Sequence, residues 1–235
     1  MKLRSRLVLQ LALWLALGAF SFGADSAYLY VVHGIPGRDI SATANPGLPI
    51  DILIDGNCMV RGFTFTSTAG PYTLAPGSYN VQVSWANTLA PCTNPTEFAT
   101  EATLGAGASA TIVAALVDGQ PELLQFANNL TPVPAGSARF VFVQSAEAPA
   151  LQATLTQVNV KSPQTFTVTA QPDAQAAIYV PAGEYLVQVT ANDSTTVLAS
   201  EEIGLPDQSA SFVYATGEAA NGFVALINRT VRDVF

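Results

Sequence analysis

The chain has 235 residues, of which 49% are hydrophobic and only 11% charged; its mean hydropathy is +0.33 and its pI is near 4.4. So little charge excludes a disordered or coiled-coil chain, and a net charge of −8 excludes the basic footprint that nucleic acid demands. With 1 His and 2 Cys there is little material for a metal site or for imidazole catalysis, and no cofactor or metal is expected.

Residues 1–24 read as a secretory signal peptide. Lys2, Arg4 and Arg6 precede an apolar run from Leu7 to Phe20, and small residues follow at Ser21 and Gly23. The run falls short of the roughly 20 residues that span a bilayer. Without it, the remaining basic residues face 17 acidic ones, a net charge near −11. An exported, acidic protein is expected: periplasmic, on the cell surface or extracellular. In such a compartment Cys58 and Cys92 form a disulfide.

Beyond the signal, short runs alternate apolar and polar residues between Gly, Pro, Asn and Asp. Strands are expected near 27–33, 49–55, 60–66, 70–75, 78–85, 98–104, 108–117 and 120–126. In 62–67, Phe63 and Phe65 share one face. In 79–85, Tyr79, Val81 and Val83 point inward and Asn80, Gln82 and Ser84 outward. Asp55-Gly56 suits a tight hairpin, and Ala75-Pro76-Gly77-Ser78 suits a type II turn with positive φ at Gly77. LGAGASA (104–110) has the glycines of a phosphate loop, but with no Lys and no helix it reads as a hairpin turn.

The pattern then repeats. AYLYVVH (27–33) corresponds to ARFVFVQ (138–144), and GFTFTS (62–67) to QTFTVT (164–169). YTLAPGSYNVQV (72–83) corresponds to IYVPAGEYLVQV (178–189), the segment around 107–116 to 208–216, and NNLT (128–131) to INRT (227–230). This places a first repeat at 25–130, a linker at 131–136 and a second repeat at 137–235. The fold expected is all-β: two tandem antiparallel β-sandwiches, immunoglobulin-like or transthyretin-like. An outer-membrane barrel would need longer strands with aromatic girdles.

YVVHGIP (30–36), PIDILIDG (49–56) and L-x-P-G-x-Y-x-V-x-V (74–83) resemble a family of bacterial secreted repeats known only as domain of unknown function 4397. The resemblance implies an exported, β-rich protein and carries no activity. In the second repeat Gln144 replaces His33, and no D-x-x-x-D-G follows. Any role of His33, Asp51 and Asp55 would therefore belong to the first repeat alone.

No catalytic set emerges. There is no G-x-S-x-G elbow, and His33 ends an apolar strand, where it suits a hydrogen-bonded structural residue. Asp51 and Asp55 lie roughly 13 Å apart on one strand face, too far for either glycosidase mechanism. With Asn57 they offer too few oxygens for calcium. The sequons at Asn129, Asn192 and Asn228 fit chance occurrence in a Ser/Thr-rich chain. Tyr79 with Tyr185, and Gly77 with Gly183, occur in both repeats and so belong to the fold. The first repeat alone has the cysteines, His33, Trp85 and the loop 86–98. The preferred expectation is a non-catalytic cell-envelope structural or protein-interaction module. A carbohydrate-binding module using Trp85, with Tyr72 and Arg61 nearby, is the alternative, and a hydrolase using His33 a remote one.

Overall fold

A computed structural model describes residues 26–221 and 223–231; the expected signal peptide lies outside them. The first repeat contains β1 (Ala27–His33), α1 (Gly37–Ile40), β2 (Ile50–Ile54), β3 (Asn57–Phe63), β4 (Thr68–Leu74), β5 (Gly77–Trp85), β6 (Phe98–Leu104), β7 (Ser109–Val117) and β8 (Gln120–Ala127). The second contains β9 (Ser137–Gln144), β10 (Leu151–Gln157), β11 (Thr165–Ala170), β12 (Ala174–Pro181), β13 (Gly183–Ala191), β14 (Val197–Leu205), β15 (Ala210–Glu218) and β16 (Phe223–Val231).

The repeat is topological as well as sequential. The first eight strands make sheets ordered β4-β1-β7-β8 and β3-β2-β5-β6. The second eight make β12-β9-β15-β16 and β11-β10-β13-β14, the same order strand for strand. Each pair of sheets closes on its own apolar core, so the chain is an all-β, two-sandwich protein. Every pairing between named strands is antiparallel except one per sandwich: β1 runs parallel to β7, and β9 to β15. The hairpin at Asp55-Gly56 has φ of 49° and 74°, as a tight primed turn requires.

The structure departs from the sequence expectations at several points. Gly77 starts β5 without positive φ. The corner before it is held by the Tyr79 hydroxyl, which donates to the Ala75 carbonyl at 2.5 Å, and Tyr185 reaches Pro181 in the same way at 2.7 Å. This tyrosine corner is what the shared tyrosines supply. Residues 104–110 form no hairpin, because β6 and β7 belong to different sheets and the segment crosses between them. β3 ends at Phe63, leaving Phe65 half-buried in the following loop. Ser84 faces outward, paired with Asp51, but is buried there. INRT lies within β16 whereas NNLT follows β8, so these two segments are not structural equivalents.

β7, β9 and β15 are buried on both faces, and so is β1 except at the half-buried Tyr28 and Tyr30. Their alternation sorts side chains between two environments. Leu29, Val31, Ile112 and Ala114 enter the core of the first sandwich, while Phe140, Phe142, Val213 and Ala215 enter that of the second. The intervening residues Val32, Val113, Ala115, Val141, Val143, Phe212 and Tyr214 meet in a third cluster between the sandwiches. The two repeats thus pack sheet against sheet. At Gly34 a Cβ would stand 2.9 Å from the Ala114 carbonyl and 2.8 Å from Thr216 of the second repeat, so glycine permits the close approach. In segment 128–136, Arg139 donates to the Asn129 carbonyl at 2.7 Å and to the Thr131 hydroxyl at 2.8 Å.

Candidate functional site

The residues peculiar to the first repeat organise one loop. β2 places Ile50, Ile52 and Ile54 in the core, so alternation turns Asp51 to the outer face of the sheet. Asp51 is nevertheless only 1% exposed, because the segment 86–97 folds over it. Its Oδ1 accepts the Gly62 N–H at 2.8 Å, and its Oδ2 accepts the Cys92 N–H at 2.7 Å and the Asn87 N–H at 3.4 Å. A buried carboxylate held by backbone donors is a strong anchor, since charge-assisted hydrogen bonds are the stronger kind.

The loop is tied down further from within. Asn87 Oδ1 accepts the N–H groups of Leu89 and Ala90, both at 3.1 Å. Asn94 Nδ2 donates to the Trp85 carbonyl at 2.9 Å, and the Thr93 hydroxyl to that of Ala90 at 2.7 Å. Cys58 and Cys92 are bonded, with Cα atoms 5.8 Å apart, which fastens the loop to β3. At the top of this framework stands Leu89, 96% exposed. Leu89 was absent from the expected site residues. Its signal was a lone leucine in a run of turn formers, which composition cannot distinguish from a buried loop anchor.

The expected site residues do not form one cluster. Trp85 pairs with Ile50 and packs, half-buried, against the core of the first sandwich. Cys58 pairs with Leu53 on the outer face, so the indole and the disulfide occupy opposite faces of the sheet. Tyr72 lies on the edge strand of the other sheet, also against the core, and burial raises its pKa. Arg61 is exposed on β3, where its Nε donates to Cys58 Sγ at 3.4 Å. Asp55 Oδ1 accepts the Asn80 N–H at 2.8 Å, joining its turn to β5. Among the described residues no group of three His, Cys, Asp or Glu is placed to hold a metal ion.

His33 is 0% exposed and has both ring nitrogens engaged. Nε2 donates to the Leu48 carbonyl at 2.8 Å, and Nδ1 accepts the Ile35 N–H at 3.3 Å, which fixes the neutral tautomer. Burial lowers its pKa to about 4, the hydrogen bond to Leu48 offsetting part of that shift. Gln144 repeats the arrangement in the second sandwich. Its Oε1 accepts the Ala146 N–H at 3.0 Å, and its Nε2 donates to the carbonyls of Ala148 and Pro149 at 3.2 and 3.1 Å.

The family model described as domain of unknown function (DUF4397) matches residues 27–154. The chain belongs to this family. The match takes in the whole first sandwich and continues through β9 into β10 of the second. No curated protein sequence matches the chain. Among solved structures, a candidate cell adhesion protein from Bacteroides ovatus is similar at 12% identity, covering 89% of this chain and 97% of its own, with a TM-score of 0.32. A second candidate cell adhesion protein, from Bacteroides fragilis, is similar at 12% identity over 90% of this chain and 99% of its own, with a TM-score of 0.26. The TIE protein of Bacillus anthracis is similar at 11% identity over 82% of this chain and 33% of its own, with a TM-score of 0.27. Among the described residues no helix is long and apolar enough to cross a membrane.

Proposed function

We propose that this member of the family is an exported, non-catalytic protein-interaction module of the cell envelope, with the loop 86–97 as its partner-facing element. The observation that carries the reading is a rigid loop presenting a fully exposed leucine. The disulfide, Asp51 and the Asn87 and Asn94 side chains hold its backbone, and Leu89 stands at its apex. A loop ordered in advance loses little conformational entropy on binding, so even a small apolar anchor contributes its burial energy to affinity. The corresponding stretch of the second repeat is the short turn between β13 and β14. A disulfide of this kind also agrees with an exported protein. The carbohydrate reading of Trp85 has weaker support, because its indole packs against the core instead of offering a free face.

The test is crosslinking in intact cells with the wild-type chain and with Leu89→Asp. The substitution is at a solvent-exposed position, so melting should stay within about 2 °C of wild type. Loss of one defined crosslinked partner from the variant is the expected result. An unchanged crosslinking pattern would remove the loop from the interaction, and a measurable turnover by the purified protein would overturn the non-catalytic reading.

A further inference from the structure

An open cleft of about 340 Å³ lies where the edge strand β4 of the first sandwich meets the end of β16 in the second. Its walls include Tyr30, Thr68, Pro71, Thr230 and Val231, and Arg229 lines it. Arg229 is 9% exposed, so a guanidinium charge is held nine-tenths out of water. Its Cζ lies 3.9 Å from the Tyr30 ring centroid and 4.5 Å from that of Phe212. Its Nη2 donates at 3.2 Å to Thr111 Oγ1, Asn128 Oδ1 and Tyr214 Oη, all neutral acceptors. Its Nε and Nη1 have no hydrogen-bond acceptor among the described residues.

Such an arrangement is costly unless something else answers the charge. Stacking on two aromatic faces and three neutral dipoles stabilise the cation but do not neutralise it. Buried charges are normally paired, and a buried N–H without an acceptor forfeits its hydration. The protein therefore satisfies the side chain only in part: Nε and Nη1 are buried without an acceptor, and the residue lines a cleft of ligand-binding size.

We propose that this cleft binds a carboxylate, with the anionic group against Arg229 and the hydrocarbon part on Pro71 and Val231. A monoanion matches the single positive charge. In a chain of net charge −8, a phosphate dianion would meet one cation among the described residues that line the cleft and leave the apolar wall unused. The carboxylate can be that of a small free acid or of a peptide side chain, since both present the same group. The proposal stands independently of the loop at Leu89, which belongs to another strand connection.

The full chain, labelled with 15N, is titrated with butyrate, butyramide and inorganic phosphate at constant ionic strength. The readout is the Arg229 Nε–H resonance, assigned by its disappearance in Arg229→Lys. Butyrate should shift it saturably, with butyramide at least tenfold weaker. Thr68→Glu, at an exposed position on the cleft wall, should supply an internal carboxylate and abolish the butyrate response. That variant tests the site even where substitutions of the buried arginine fail to fold. A blocked Gly-Glu-Gly peptide compared with its Gly-Gln-Gly counterpart separates the sources. A response at least tenfold tighter than butyrate marks a peptide carboxylate, and a weaker one marks a free acid. Equal responses to butyrate and butyramide, a stronger response to phosphate, or no movement of the resonance would overturn the proposal. So would a response that arises only in Asp233→Asn, which would make the chain's own carboxylate the occupant.

Discussion

At the residue scale, His33 and Gln144 occupy equivalent strand ends and make equivalent contacts, each accepting the N–H two residues on and donating to a nearby carbonyl. An amide does what the neutral imidazole does, and the geometry needs no protonated ring. His33 has a folded pKa of about 4 against 6.5 unfolded. The unfolded chain therefore binds the extra proton first as the pH falls, and stability is lost between pH 6.5 and 4. The loss should be about 3 kcal/mol at most. Urea unfolding at pH 7 and at pH 4 should show this drop in wild type and not in His33→Gln; a variant with the same acid dependence would exclude His33 as its source. Asp51 is the other decisive residue. Asp51→Ala leaves the Gly62 and Cys92 N–H groups without their acceptor, which should cost about 2–4 kcal/mol in denaturant unfolding. Cleavage within 86–97 by a protease should then outpace global unfolding. The sequence placed Asp51 on one strand face with Asp55. Alternation turned it outward, and only the folded-over loop shows that outward here means buried.

At the scale of elements, alternation in single strands sufficed to locate nearly all of the first repeat. The shortfall came at connections. Glycine and proline mark a change of direction, but the residues flanking it do not say which sheet the chain enters next. Residues 104–110 show this, carrying hairpin composition while crossing between sheets. The 75–78 corner shows it again, because a tyrosine hydroxyl two residues into β5 substitutes for the glycine turn. The disulfide closes a sequence separation of 34 residues. In the chain-entropy account this contributes about 3–4 kcal/mol, mostly by restricting the unfolded chain. Replacing both cysteines with serine should lower the urea midpoint accordingly while leaving the β-sheet circular dichroism unchanged. A midpoint within error of wild type would mean that Asp51 alone holds the loop.

At the scale of the whole molecule, a third apolar cluster joins the two sandwiches. Val32, Val113 and Phe126 of the first meet Val141, Phe212 and Tyr214 of the second, and Gln175 donates to the Ala127 carbonyl at 2.7 Å across the junction. Phe212→Ala should therefore cost about 3–5 kcal/mol, the usual range for removing a buried aromatic side chain. The effect should also reach the first sandwich. Trp85, the one indole among the described residues, should report a lower unfolding midpoint although the substitution lies in the other repeat. An unchanged Trp85 transition would mean that the repeats unfold independently.

The sequence by itself determined the strands of the first repeat, the duplication and the cysteine pairing partners, because alternation, turn residues and a count of 2 cysteines are local or exhaustive signals. The near-continuous apolar runs of β1, β7, β9 and β15 also carried the information that both their faces are covered. Tertiary structure alone decided what covers them. It placed one repeat against the other, turned Trp85 inward and Leu89 outward, buried Asp51 beneath a loop and brought Arg229 between two aromatic rings. Those outcomes depend on residues far apart in the chain, such as Tyr30 and Arg229, and a period of two says which face a side chain takes but never what lies opposite it.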